Sequence, residues 1–226
     1  MRAKSAVLGI AAAAALSSAA FSGPALAAAC TTAPLSTYLS GGRNATCTVL
    51  DKTFSDFIYA STPLNTPTAA LVNVIPVTSP TNEPGLTFQG NFSRSASVAP
   101  TTGDIDISFH VAAGAGFKIT DAGVTLVGTT TGGGTAGSFS DTELLRNDGT
   151  EIASLNTSNT NLVASTTFAG VTSATVDEDI LLIGYEDLSQ ITKQFSENTV
   201  PEPASMALLG VGLGVLGLVR RRKRGS

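Results

Sequence analysis

The chain has 226 residues and a formal net charge of −4, from 13 Lys and Arg against 17 Asp and Glu. Seven of the basic residues lie in the first 27 and last seven positions, so the segment 28–202 holds six basic residues, all 17 acidic ones and a net charge of −11. A segment this acidic lacks the basic surface that displaces counterions from phosphates, which excludes a nucleic-acid-binding protein. With one His and two Cys, the chain cannot build a Cys- or His-rich metal site.

The N-terminus has the three parts of a secretory signal peptide. Two basic residues are followed by an apolar stretch at 6–20 and by a small-residue cleavage site at 25–27. That apolar stretch is too short to span a bilayer as a helix. We therefore predict a signal peptide over residues 1–27, cleaved before Ala28. A lipoprotein signal that ends at Cys30 is the alternative, although the residue three positions before that Cys is Ala and not the usual Leu.

Apolar residues in the exported segment alternate with a period of two, which is the spacing of a β-strand. The clearest case sets apolar Ile105, Ile107, Phe109 and Val111 against polar Asp104, Asp106, Ser108 and His110. Similar short runs, rich in Val, Ile, Thr and Phe, recur at 86–92, 117–119, 124–127, 162–168 and 180–183. Strands this short, separated by Gly, Pro, Asn and Asp, are typical of an antiparallel sandwich. We predict an all-β fold, a single antiparallel β-sandwich over residues 28–198. The segment 188–197 fits either a helix or a bulged strand.

The two cysteines of the chain, Cys30 and Cys47, both follow the predicted cleavage site. An even number of cysteines outside the cytoplasm predicts a disulfide bond. A loop of this length would stabilise the fold by about 3 kcal/mol in the chain-entropy description.

The C-terminus combines an uncharged apolar segment, 204–219, with a basic end. As a helix the segment would be about 24 Å long, somewhat short for a hydrocarbon core of about 30 Å, and flanking arginines or local thinning can cover the difference. The five basic residues are predicted to stop transfer and to keep the C-terminus in the cytoplasm. They are Arg220, Arg221, Arg222, Lys223 and Arg224.

A short motif precedes this transmembrane segment: Val200, Pro201, Glu202 and Pro203. Motif, Gly-rich apolar helix and Arg cluster together resemble the PEP-CTERM sorting signal, and the tail would occupy residues 199–226. The resemblance implies recognition by exosortase, a membrane-embedded, Cys-dependent enzyme of Gram-negative bacteria that also make extracellular polysaccharide. An ordinary membrane anchor with a Pro-containing stalk is the alternative.

Two segments of the body are similar to stretches found in many PEP-CTERM surface proteins. One is the D-K-x-F-x-x-F run at 51–57, which follows Cys47, and the other is F-K-I-T-D-A at 117–122. These similarities imply a β-rich surface protein to which no chemistry has been assigned.

Candidate catalytic and metal-binding groups are few. His110 is expected on the solvent face of a strand, and no nucleophile motif accompanies it. Asp104 with Asp106, and the run 177–179, could serve glycoside hydrolysis or bind Ca²⁺. We expect the run 177–179 to be a solvated strand end. A G-x-G-x-x-G match at 132–137 lacks the following helix that a dinucleotide site needs.

These observations predict an exported cell-surface or extracellular-matrix protein with a structural or adhesive role in a polysaccharide matrix or biofilm. We expect no enzyme activity, no catalytic residues, no metal site and no cofactor. The expected partners are exosortase, extracellular polysaccharide and, before processing, the inner membrane. The alternatives are a carbohydrate- or calcium-binding exported module and, less favoured, a secreted hydrolase.

Overall fold

The structure is a computed structural model that describes residues 27–39, 41–42, 45–62, 67–93, 102–130, 137–158, 160–183 and 186–199. Residues 1–26 of the predicted signal peptide lie outside the described residues, as do the sorting motif, the apolar segment and the basic end at 200–226. In the part of the chain that is described, no helix has the length and apolar character needed to cross a membrane.

The described residues form thirteen β-strands and two single-turn 3₁₀ helices, at Leu35–Thr37 and Ala69–Leu71. The first six strands are β1 (Ala28–Ala29), β2 (Ala33–Pro34), β3 (Thr46–Val49), β4 (Lys52–Ser61), β5 (Asn73–Val77) and β6 (Gly85–Ser93). The other seven are β7 (Thr102–Ala113), β8 (Phe117–Thr130), β9 (Gly137–Leu145), β10 (Glu151–Ser158), β11 (Val163–Val171), β12 (Ser173–Ile183) and β13 (Glu186–Thr199).

Two sheets contain all of these strands. The seven-stranded sheet has the order β1-β3-β4-β7-β12-β9-β10, and the six-stranded sheet has the order β11-β8-β13-β6-β5-β2. Neighbouring strands run antiparallel, except that β1 pairs parallel with β3. The arrangement confirms the predicted antiparallel β-sandwich.

The core lies between the sheets, and alternate side chains of long strands such as β7 and β12 are buried in it. On β7, Ile105, Ile107, Phe109 and Val111 are fully buried, as their alternation predicts. Phe109 is at the centre of an aromatic cluster, and its ring lies 5.7–6.4 Å from those of Phe54, Phe57, Phe88 and Phe195. Burial of these rings supplies a large share of the hydrophobic stabilisation of the sandwich.

A β-bulge in β4 explains the spacing of the two phenylalanines in the D-K-x-F-x-x-F run. In a regular strand, residues three apart point to opposite faces. The register of β4 with β7 shifts between Ser55 and Ile58, and Asp56 within the bulge has a φ of 55°. Phe54 and Phe57 are therefore both buried in the core.

A second bulge settles the structure of segment 188–197, which is part of strand β13. The register of β13 shifts between Leu188 and Gln190 against both of its neighbours. Because of this shift, Leu188 and Ile191 are both buried although they are three residues apart. The spacing that resembles a helix face is thus produced by a bulged strand.

A disulfide bond joins Cys30 to Cys47, whose Cα atoms are 4.8 Å apart. It lies beside the short parallel pairing of β1 with β3, and the Cys30 amide donates a hydrogen bond to the Thr48 carbonyl at 2.8 Å. Tyr38, within the loop that the bond closes, is buried and packs edge-on against Phe57. The bond thereby fastens the N-terminal arm to the seven-stranded sheet.

Candidate functional site: a carboxylate face on the seven-stranded sheet

Six carboxylates lie on the outward side of three adjacent strands, β7, β12 and β9. This group, here called the carboxylate face, consists of Asp104, Asp106, Asp141, Glu143, Asp177 and Asp179. Each is flanked on its strand by core residues, so alternation turns the carboxylates to solvent. Six of the 17 acidic residues of the chain thus share one surface.

The strand register brings like charges directly opposite one another. Asp179 on β12 is paired with Asp106 on β7 and with Asp141 on β9, which makes a row of three aspartates across the sheet. Asp177 is likewise opposite Glu143. Like charges in directly opposed positions are destabilising, so the arrangement costs folding energy in the absence of a cation.

Asp104, Asp106 and Asp179 form the tightest group on this face. One carboxylate oxygen from each lies within 4.8 Å of the others. A depression of about 270 Å³ adjoins the group, and Asp106, Asp141, Asp177 and Asp179 contribute to its lining. Three carboxylates at this spacing offer the oxygen ligands that Ca²⁺ takes in proteins.

The crowding of these groups changes their ionisation. Partial burial, a hydrogen bond with Asp104 and the negative charges of Asp104, Asp106 and Asp141 raise the pKa of Asp179 to about 6. Partial burial and the charges of Asp104 and Asp177 also raise the pKa of Asp106. Near pH 6, Asp179 therefore carries a proton part of the time, and a bound cation would displace it.

We predict that Asp179→Asn raises the melting temperature at neutral pH. An acid whose pKa is higher in the folded than in the unfolded chain binds its proton more tightly when folded, so stability falls as pH rises from about 4 through 6. The Asn variant cannot ionise and should lose this part of the pH dependence. Thermal unfolding between about pH 4 and pH 8 measures it. The control Glu143→Gln, which removes an acid outside the group of three, should keep the fall, and identical profiles for all three proteins would contradict the assignment.

The structure corrects the prediction made for the run 177–179. This run lies in the middle of β12 and is not a solvated strand end. Asp177 and Asp179 face outward, whereas Glu178 points into the core and is 3% exposed. The alternation of Val176, Glu178 and Ile180 was the available sequence signal, because it places the glutamate on the apolar face.

His110 and Ser108 lie half-buried on the outward side of β7, as the alternation predicts. In the strand register His110 is opposite Ser55 on β4 and Thr175 on β12. These neighbours carry hydroxyl groups and no carboxylate. The paired strands therefore place no acid directly opposite His110 in the way that a Ser-His-Asp triad would need.

The exposure of aromatic rings matters for sugar binding, because sugars stack on exposed rings. Among the side chains that the structure describes, Tyr59, Phe117 and Phe168 are half-buried and every other aromatic ring is buried. The Tyr59 hydroxyl donates a hydrogen bond to the Pro67 carbonyl. The described surface thus offers oxygen ligands for cations and no exposed ring on which a sugar could stack.

Comparison with known proteins identifies the tail. Residues 199–224 match the family described as the PEP-CTERM protein-sorting motif, which confirms the resemblance of the sequence. No curated protein matches the chain.

Three solved structures show distant similarity to the body. The structure of TmCBM61 in complex with β-1,4-galactotriose covers 63% of this chain and 88% of its own, at 12% identity and a TM-score of 0.34. A second structure comes from a study of promiscuous specificity in carbohydrate-binding modules of the β-sandwich superfamily. It covers 67% of this chain and 58% of its own, at 10% identity and a TM-score of 0.28. A family 6 carbohydrate-binding module covers 63% of this chain and 94% of its own, at 16% identity and a TM-score of 0.22.

Proposed function

Since this chain carries a PEP-CTERM protein-sorting motif, we propose that it is an exported surface protein whose tail exosortase removes. The signal peptide, residues 1–27, directs the chain across the inner membrane and is cleaved before Ala28. The apolar segment 204–219 then holds the protein at the membrane, with the basic residues 220–224 on the cytoplasmic side. The observation that carries the proposal is the family match at 199–224.

The chemistry of the motif supports cleavage at the outer membrane boundary. Pro201 and Pro203 cannot donate backbone hydrogen bonds, and each disfavours helical geometry in the residue before it. Residues 200–203 therefore favour an extended backbone, which a membrane-embedded enzyme can bind. Strand β13 ends at Thr199, one residue before the motif. Cleavage here would release the whole sandwich, either to the medium or to another acceptor.

For the released body we propose a structural or adhesive role in an extracellular polysaccharide matrix. Two properties of the body are compatible with a role outside the cell. The disulfide between Cys30 and Cys47 suits an oxidising compartment, and the acidic body should repel its own copies at low ionic strength and stay soluble during export.

Localisation of motif variants tests this proposal. Pro201→Ala combined with Pro203→Ala should leave the protein in the inner-membrane fraction, whereas the wild-type body is recovered from the cell surface or medium. The matched control Pro76→Ala changes a proline of β5, outside the motif, and should not alter the distribution. Recovery of the motif variant outside the cell in wild-type amounts would argue against the proposal.

A second function is favoured by the carboxylate face: Ca²⁺-dependent attachment to acidic polysaccharide. The group of Asp104, Asp106 and Asp179 supplies three carboxylates within one cation's reach. A cation there would offset the repulsion in the aspartate row and could accept further oxygen ligands from a sugar acid. Without the cation, two polyanions would repel each other.

Thermal unfolding with and without Ca²⁺ tests the second function. Binding to the folded state alone raises stability by about 2.7 kcal/mol when free Ca²⁺ is 100 times its dissociation constant. The wild-type protein and Glu143→Gln should respond, and Asp179→Asn should not. An equal response of all three proteins would indicate general charge screening and would contradict a site at Asp179. Retention on an acidic polysaccharide should then be lost on adding a chelator.

A further inference from the structure

A lysine and a glutamate face each other in the middle of the sandwich, away from the carboxylate face. Lys193 lies on β13 of the six-stranded sheet and Glu178 on β12 of the seven-stranded sheet, and both side chains are 2% exposed. The Lys193 amine contacts a Glu178 carboxylate oxygen directly. The pair therefore connects the two sheets through the core.

Hydroxyl groups complete the surroundings of this pair. The Ser140 hydroxyl donates to one Glu178 oxygen and the Thr142 hydroxyl to the other. The Lys193 amine also donates to the Thr142 hydroxyl. Both hydroxyls belong to β9 and are about 1% exposed. The carboxyl carbon is thus fixed beside the amine, with a hydrogen-bond donor on each of its oxygens.

The site is buried, and burial of this kind disfavours charged groups. Two charges moved from water into a protein interior lose several kcal/mol of solvation each, by order of magnitude. Burial lowers the pKa of Lys193, although the charges of Glu178 and Asp141 oppose this effect. Transfer of one proton from the amine to the carboxylate gives an uncharged amine beside a carboxylic acid, and an uncharged amine is a nucleophile.

We propose that Lys193 and Glu178 condense into an intramolecular amide that covalently joins the two sheets. The Lys193 Nζ atom attacks the Glu178 Cδ atom, so that an N–C bond forms. The C–O bond to the protonated oxygen then breaks, and one water leaves with that oxygen, the acid proton and one amine proton. No electrons are transferred, so the step requires no oxidant, reductant or additional substrate.

The surroundings provide what this condensation needs. The Ser140 and Thr142 hydroxyls are placed to stabilise the negative charge that develops on the carboxyl oxygens during attack. The amine and the carboxyl group are already held in contact, so the reaction is intramolecular. In well-oriented intramolecular reactions the effective concentration of one reactant near the other reaches about 10⁵ M or more. The water that leaves the buried site is then no longer available there to hydrolyse the amide.

A buried lysine elsewhere in the body provides a contrast. Lys52 is also fully buried, but it contacts Asp51 at 2.8 Å and Glu197 at 2.5 Å, whose side chains are 31% and 14% exposed. Those carboxylates keep contact with water, which the Glu178 carboxylate lacks, and access of water disfavours condensation. The amide is therefore expected at Lys193 and not at Lys52.

Mass spectrometry of the full-length folded protein, after reduction of the disulfide, tests the proposal. The intact mass should be one water below the sequence mass. In a denaturing digest, trypsin should cut after Lys52 but not after Lys193. A protease that cuts between residues 178 and 193 should leave two peptides joined through these two side chains.

Variants identify the bond. Lys193→Arg keeps the positive charge but should restore the full sequence mass. Glu178→Gln should lose ammonia in place of water and give the same joined peptides. A wild-type protein at its sequence mass that trypsin cuts after Lys193 would overturn the proposal and leave a buried ion pair. A lost water that does not join the two peptides, such as a succinimide at Asp148, would overturn it equally.

Discussion

Replacing Phe109 with Ala is expected to destabilise the protein by about 3–5 kcal/mol, the usual cost of deleting a buried aromatic ring. Phe109 is fully buried, and its ring contacts four other phenylalanine rings contributed by both sheets. A cavity at this point removes contacts that hold the sheets together, and close-packed strands cannot collapse to fill it. Urea unfolding measures the loss as a lower transition midpoint.

The neighbouring residue provides the control for this variant. His110 is adjacent on the same strand but lies on the outward side of β7, so His110→Ala should change stability by about 0.5 kcal/mol or less. Phe109→Leu should fall between the two, because most of the apolar volume is kept. A loss below about 1 kcal/mol for Phe109→Ala would contradict the central place given to this cluster in the core.

Removal of the disulfide has the second largest expected effect. Replacing Cys30 and Cys47 together with Ala should lower the free energy of unfolding by about 3 kcal/mol, because the bond joins residues that are 17 positions apart in the chain. The N-terminal arm around this bond pairs with the sheets through two-residue strands, β1 and β2, and is anchored further by the packing of Tyr38 on Phe57. We therefore expect the arm to become sensitive to proteolysis before the rest of the sandwich.

Reduction of the wild-type protein offers an independent measurement of the same quantity. A reducing agent should bring the wild-type transition close to that of the double Ala variant, and it should leave the variant unchanged. If reduction destabilised the variant by a similar amount, the effect would have to come from a source other than the Cys30–Cys47 bond.

Alternation of apolar residues was sufficient to predict the fold class. The pattern around Phe109 places four buried side chains and four outward polar ones correctly on β7. It does not identify which strands pair, because pairing in the sandwich joins residues far apart in the chain. The row formed by Asp106, Asp141 and Asp179 exists only through the register of three strands, and the sequence alone could not assemble it.

Bulges and buried polar residues are the features of the fold that could not be predicted from simple alternation. One extra residue in β4 relative to β7, and one in β13 relative to β8, bring side chains three apart onto the same face, so simple counting assigns them wrongly. Glu178 belongs to the run 177–179, which the sequence predicted to be a solvated strand end. The alternation of Glu178 with Val176 and Ile180 indicates its burial correctly. The contact with Lys193 could not be predicted, because Lys193 lies on β13 in the other sheet.

The intact mass of the mature protein, from cells with and without exosortase, tests the central claim most directly. In normal cells we expect an N-terminus at Ala28 and a C-terminus near residues 201–204, with the basic end removed. Without exosortase the mass should correspond to a chain that continues through Ser226. A tail that remains uncut in both strains would contradict the account and make the protein an ordinary membrane-anchored sandwich.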